Sequence, residues 1–152
     1  MRPSLYEYAG GDAAFLRLAQ AHHDRCLADP ELNHPFSHEG LNPEHVGRLA
    51  AYWGEVMGGP AAYSAAMGDQ TELLDMHANK GPMGDLGRRF VTCFDAAADD
   101  AGLPDDAEFR RVLHDYMEWA VADVLVYAPH GSVVPPGERM PHWSWDGPVE
   151  PA

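Results

Sequence analysis

The sequence predicts an all-α protein, and three observations predict it. Apolar residues recur three and four positions apart through most of the chain, the spacing that gathers them on one face of a helix. Glycines, prolines and short polar capping residues cut that pattern into segments of helical length. No segment sustains the apolar–polar alternation of a half-buried strand. At 152 residues the chain suits one domain, with enough material for a core and an enclosed ligand.

The elements follow in order. A short N-terminal piece ends at Gly10-Gly11, and Asp12 is placed to cap a helix running to about position 27, with Phe15, Leu18, Ala19 and Cys26 along its spine. Ala28-Asp29-Pro30 breaks that helix, and a loop holding Pro35, Phe36 and Gly40 follows. Asn42-Pro43 reads as an N-cap with proline in the first turn, opening a helix marked by Val46, Leu49, Trp53 and Met57. Gly58-Gly59-Pro60 stops it. A short helix around 61–67, a turn at Gly68-Asp69 and a short segment over 71–76 then deliver His77.

Breaks at Gly81-Pro82 and Gly84 precede a helix over about 85–98, with Leu86, Phe90, Cys93 or Phe94, and Ala97 on one stripe. The segment 101–106 ends it and caps a last helix over about 107–126, carrying Phe109, Val112, Leu113, Tyr116, Met117, Ala120 and Val124. From Pro129 the composition turns to proline, glycine and tryptophan. That much proline argues against regular secondary structure, while Trp143 and Trp145 are too apolar to stand wholly in water. Residues 1–128 are therefore expected to form a helical domain, and 129–152 an extended tail packed on it.

The charge narrows the partners. The chain has 24 acidic against 10 basic residues, a formal charge of −14, and its basic residues are scattered. Nucleic acid and anionic membrane both need concentrated positive charge, so neither is expected. No apolar run approaches the roughly 20 residues that span a bilayer, and the expected setting is cytoplasmic. Cys26 and Cys93 stand on separate helices without the close spacing of a metal knuckle or redox motif, and read as small buried apolar residues.

No phosphate loop, nucleophile elbow or cysteine-rich metal motif is present, so the chemistry falls to nine histidines. His45, His114, His130 and His142 read as surface or hydrogen-bonded residues. His34 and His38 are four apart, but Pro35 argues against the helix that would align them on a metal. His22 and His23 are adjacent on a buried helix, so one of them approaches the apolar stripe. Counting from Phe15 in fours selects His23, and counting in sevens selects His22.

Taken in order, Leu5-Tyr6-Glu7-Tyr8-Ala9-Gly10-Gly11, Leu27-Ala28-Asp29-Pro30, Gly58-Gly59-Pro60 with Tyr63-Ser64, His77, and Ala101-Gly102-Leu103-Pro104-Asp105-Asp106 with Tyr116-Met117-Glu118-Trp119 resemble the truncated haemoglobins of group II. The resemblance runs from about Leu5 to Val126, and the Trp-Ser-Trp tail is similar to an extension of some bacterial members. Each motif alone is weak; their order and spacing carry the likeness. It implies a two-over-two helical sandwich, so that 1–128 would be the truncated globin domain. It further implies haem b between the helix starting near Pro43 and the segment ending at His77. His77 matches the proximal iron ligand of that family, and Phe36 the aromatic that packs on the porphyrin.

The departures lie on the side where gases bind. This family usually has tyrosine, preceded by another aromatic, where this chain has His23 and His22, and tryptophan where it has Phe90. Trp53 replaces a smaller aliphatic residue and could donate through its indole. Leu49, one turn earlier, is expected to wall the haem face, and Arg48 either meets a propionate or is solvated. His23 is the favoured distal residue, as a hydrogen-bond donor to bound ligand or as a second iron ligand, with His22 taking the role if the helix register shifts by one.

The expected function is reversible binding of oxygen, nitric oxide or carbon monoxide. One rival is a haem redox enzyme, a peroxidase with His23 as general base toward peroxide or a nitric oxide dioxygenase with a reductase partner. A second is a haem-free globin-like scaffold whose tail tryptophans dock a partner. A third, a non-haem metal held by His22, His23 and His77, lacks the carboxylate spacing usual on helix bundles. Monomer and homodimer are both open.

Overall fold

The structure, a computed structural model, describes residues 2–33 and 44–150. Among these its regular secondary structure is helical apart from one small hairpin. The helices are α1 (Leu5–Ala9), α2 (Gly11–Ala28), α3 (His45–Val56), α4 (Ala62–Ala66), α5 (Gln70–His77), α6 (Leu86–Asp100) and α7 (Ala107–Leu125). The all-α expectation holds. Asn42-Pro43, Phe36, His34 and His38 lie outside the described residues.

Helix ends follow the side chains that satisfy their free amides. Ser4 accepts from the Glu7 amide at 3.1 Å, Asp69 from the Glu72 amide at 2.9 Å, and Asp106 from the Phe109 amide at 3.1 Å. Asp12 is not the cap expected of it. The N-cap of α2 is Gly10, at φ +120°, a turn that brings the chain straight from α1 into α2 and favours glycine. Asp12 instead accepts from the Tyr6 hydroxyl at 2.6 Å, tying α1 to the first turn of α2.

The core assembles where the apolar stripes meet. Helix α2 packs on both α3 and α6, and α6 packs on α7. Phe15, Leu18, Ala19, Trp53, Val56, Phe94, Ala97, Phe109, Leu113 and Tyr116 form one continuous cluster. On α6 both Cys93 and Phe94 are buried, Phe94 in the main core and Cys93 in a separate small cluster with Cys26 and Leu32. Gly59 is fixed by packing: a Cβ there would sit 2.6 Å from the Tyr6 ring and 2.7 Å from the Gly54 carbonyl. Buried Glu55 accepts from the Tyr63 amide, the Ser64 amide and the Ser64 hydroxyl, which joins the end of α3 to α4.

Helix α5 is placed differently. Leu74 and Ala78 pack in a separate small cluster with Val134, beside Val124 and Tyr127. The Thr71 hydroxyl donates to the Pro135 carbonyl at 3.3 Å and accepts from the Glu138 amide at 2.9 Å. Further on, Trp143 is buried edge-on to Tyr116, and Trp145 meets Tyr8 and donates its indole N–H to the Pro3 carbonyl at 2.9 Å. The segment is not wholly irregular. Trp143–Ser144 (β1) pairs antiparallel with Gly147–Pro148 (β2), and Val149 donates to the His142 carbonyl. A two-stranded ribbon is all edge, so proline costs it no interior ladder bond.

Candidate functional site

The site is built from α2, α3, α5 and α6. His22 is fully buried, its ring edge-on to Phe90 at 4.3 Å, Trp53 at 5.5 Å and Phe94 at 5.9 Å. Its Nε2–H donates to the Phe90 carbonyl at 3.2 Å, which fixes the tautomer. Burial pushes its pKa down to about 4, against a smaller opposing effect of that hydrogen bond, while His23 and His45 add to the lowering. The ring is therefore neutral near pH 7. Cys26, one turn along α2, sits with its sulfur 3.6 Å from the same nitrogen.

His23 points elsewhere. It is half-buried, and its ring lies 5.6 Å from that of His45 at an angle of 55°. Consecutive residues of α2 thus meet α3 two turns apart, His22 at Trp53 and His23 at His45. On burial the inward member of the pair is His22, the residue reached by counting in sevens from Phe15. The count in fours failed because it assumed a stripe centred on Phe15 and Ala19, whereas Leu18 is equally buried and widens the stripe toward His22.

The remaining candidates stand as follows. Trp53 is buried against Phe94 at 5.0 Å, while Leu49 and Phe90 are half-buried on the main core. Arg48 is neither purely solvated nor directed outward: it donates to the Met67 carbonyl at 2.8 Å and lies near the Tyr63 ring, which braces α3 against the end of α4. Sequence reasoning passed over His45. Burial lowers its pKa, and proximity to His23, His77 and Arg48 lowers it further, which places it in the neighbourhood of all three. The signal was present, since His45, Leu49 and Trp53 follow one another at intervals of four.

His77 ends α5, exposed to solvent, and its Nδ1–H donates to the Leu73 carbonyl one turn back at 2.8 Å. That bond orients the ring and leaves the Nε2 lone pair directed away from the helix, the state in which imidazole binds a metal. Among the described residues no three histidine, cysteine or acidic side chains converge to hold a bare cation, so His22, His23 and His77 do not form a metal cluster. The donor set fits a different kind of group, one that brings its own equatorial nitrogens and asks the protein for one or two imidazoles, as a haem does.

The sequence pattern that defines bacterial-like globins matches residues 4–125. The chain belongs to that family. Among solved structures, the globin is similar to a thermostable haemoglobin of Thermobifida fusca, at 29% identity over 90% of this chain and 100% of that one, with a TM-score of 0.65. A haemoglobin of Chloroflexus aurantiacus shares 26% identity over 81% of this chain and 98% of that one, with a TM-score of 0.66. The group II truncated haemoglobin of Bacillus anthracis, at 19% identity over 88% of this chain and 99% of that one, has a TM-score of 0.69 and shares the fold. No curated protein matches the chain. No helix among the described residues is long and apolar enough to cross a membrane.

Proposed function

We propose that this globin is a group II truncated haemoglobin that holds haem b through His77 and binds a diatomic ligand, oxygen first among them, on the side faced by α2 and α3. The observation that carries this reading is the 2.8 Å bond from His77 Nδ1 to the Leu73 carbonyl, which reserves Nε2 for iron. The likeness to haemoglobins at 26% and 29% identity supports it. Bound haem would supply an iron with one coordination position left open to a gas.

The protein's own part follows from the wall opposite His77. Leu49, Trp53 and Phe90 present carbon surface, which keeps water from the pocket and so slows loss of the ferrous state. Neither tyrosine nor tryptophan supplies the usual hydrogen bonds at positions 23 and 90, and His22 has committed its Nε2–H to the Phe90 carbonyl. His23 stands where the resemblance puts a donor, and it is the side chain we assign to donate to a ligand carrying partial negative charge, a bond worth about 1 kcal/mol.

The test is the absorption spectrum of haemin-loaded protein in ferric, ferrous and ferrous-carbonyl forms, beside His77→Ala and His23→Ala. The reading expects a Soret band that His77→Ala abolishes, and a five-coordinate ferrous form in the wild type. A low-spin six-coordinate spectrum removed by His23→Ala would make His23 an iron ligand. Absence of haem uptake would overturn the reading and leave only the fold.

A further inference from the structure

Helix α5 has eight residues, too few to be stable alone, so its surroundings decide where its last residue, His77, stands. Its first half is tied to the main core: the Tyr52 hydroxyl donates to the Gln70 side chain at 2.6 Å, and Leu73 packs on the central cluster. The end that carries His77 is tied to the chain that follows α7. Leu74 and Ala78 pack on Val134, and Thr71 in the first turn bonds to Pro135 and Glu138. Just past the helix, Asn79 donates its backbone N–H to the Tyr127 carbonyl and its side-chain amide to the Ser132 carbonyl, both at 2.9 Å. The Gly81 N–H donates to the Ala128 carbonyl at 2.8 Å, and a Cβ on Gly81 would lie 2.9 Å from the His130 ring. Asn79 stands at φ +61°, the one non-glycine residue in the left-handed region among the described residues. Asparagine visits that region more readily than most residues, and it stays there where its neighbours over-determine it, as Tyr127 and Ser132 do here. Further along, the same chain is anchored on the domain by Trp143 in the main core and by Trp145, which lies under the Arg2 guanidinium at 3.7 Å.

We infer that residues 127–138 form a strap that positions the proximal side: through Asn79, Thr71 and Val134 they fix the end of α5, and with it the reach and tilt of the His77 ring. This rests on the haem-binding reading above. The bond from His77 Nδ1 to the Leu73 carbonyl orients the ring relative to α5 alone, because both partners belong to that helix. Placing the ring in the molecule needs bonds that leave the helix, and around its last turn these run to the strap. A metal–imidazole bond responds to the groups that orient its ligand from outside. Asn79 and Thr71 are therefore positioning residues that act through His77, and the chain after α7 adjusts the iron-facing side without rebuilding the aromatic wall.

The experiment is resonance Raman spectroscopy of haem-loaded full-length protein in the ligand-free ferrous form, because the iron–imidazole stretch reads the ring's placement and not the stability of the fold. Wild type is compared with Asn79→Val, Asn79→Gly, Thr71→Val and Thr71→Ser, and with Leu103→Ala, a truncation in the main core outside α5 and the strap. Each is checked for helix content and thermal unfolding. Asn79→Val loses the bond to Ser132 and resists positive φ, so its band should broaden and move to lower frequency. Asn79→Gly accepts positive φ and keeps the backbone bond to Tyr127, so its shift should be smaller. Thr71→Val should move the band and Thr71→Ser, which keeps the hydroxyl, should restore it. Transfer of haemin to an excess of an apoprotein acceptor should quicken about three- to tenfold in Thr71→Val, the size of one neutral hydrogen bond. Leu103→Ala should unfold at lower temperature with the wild-type band in place. Wild-type bands in both Asn79→Val and Thr71→Val overturn the inference while leaving haem binding intact, and so does a Leu103→Ala band shifted as far as theirs. A wild type that takes up no haem overturns the haem-binding reading and this inference with it.

Discussion

His22 and His77 carry the same ring, yet the first is sealed among Trp53, Phe90 and Phe94 in the main core, while the second stands exposed on an eight-residue helix that leans on the tail. One face of the site is thus made by the packing that folds the domain. The other is a local device, a ring oriented by a hydrogen bond within its own helix and a helix steadied by Thr71, Val134 and their neighbours. The difference teaches that the wall should resist change and couple to global stability, whereas the segment proposed to face iron should be adjustable at little cost to the fold.

The sharpest break of that comparison is to truncate each ring. His22→Ala removes a fully buried ring from an aromatic enclosure and is expected to cost about 3–4 kcal/mol in urea unfolding. His77→Ala removes an exposed ring and should change apoprotein stability by less than about 0.5 kcal/mol, while abolishing haem uptake. Equal losses from the two would refute the division.

Acid should distinguish the two faces next. The folded pKa of His22 is about 4, below the ordinary 6.5 of an unfolded chain, so between those values the unfolded state binds the extra proton. Stability from this group is complete above pH 6.5 and is lost as pH falls toward 4, by about 3 kcal/mol in all. His114 works in the opposite sense. Hydrogen bonding to Asp95 raises its pKa, so its contribution is present below pH 6.5 and fades as pH rises through that raised value. Its partial exposure makes the effect smaller. His22→Phe, which cannot titrate, should therefore flatten the unfolding free energy between pH 6.5 and 4, as measured by urea titrations at each pH.

On the adjustable face, Thr71→Val deletes both hydrogen bonds to the tail and should cost about 0.5–1.5 kcal/mol. Hydrogen exchange gives the more telling reading. Amides of α5 should exchange faster in the variant while those of α2 keep their protection, because Leu74 and Ala78 pack in a cluster apart from the main core, to which α5 is joined through Leu73 and the bond from Tyr52 to Gln70. Uniform loss of protection would mean that α5 and the core open as one unit.

How far the sequence reveals this division depends on what holds each part. The stripes of α2, α3, α6 and α7 are periodic because each buries one face against another helix, so Phe15, Trp53, Phe94 and Phe109 could be placed in the core from spacing alone. His77 was singled out by its position relative to a recognisable order of motifs, not by periodicity. The choice between His22 and His23 was not legible, since adjacent residues differ by about 100° around a helix and the stripe is wide enough to admit either. The contact of His23 with His45 joins positions 22 apart through helix packing, and local periodicity does not encode which rings will meet. The β1–β2 ribbon was hidden for another reason: proline density speaks against ladders, and a ribbon with no interior strand is the one ladder it does not forbid.

The smallest effect concerns the thiols, and it tests how completely the wall is sealed. Cys26 is wholly buried between His22 and Cys93, with Leu32, Leu86 and Phe90 around them. Burial and the neighbouring sulfur push its pKa far above the ordinary thiol value, and burial raises that of Cys93 as well. Thiolate is the reactive form, so neither cysteine should alkylate with iodoacetamide in the native protein at pH 8, and both should do so in urea. The nearby imidazole does not alter this, because His22 spends its proton on the Phe90 carbonyl and remains neutral, offering no positive charge to stabilise a thiolate. In His22→Ala the enclosure loses one side, and Cys26 should become the faster-labelled of the two, as read by mass spectrometry of the tryptic peptides. Rapid labelling of Cys26 in the wild type would show instead that the wall opens on its own, and the contrast between a fixed and an adjustable face would fail at the point where it is most strictly drawn.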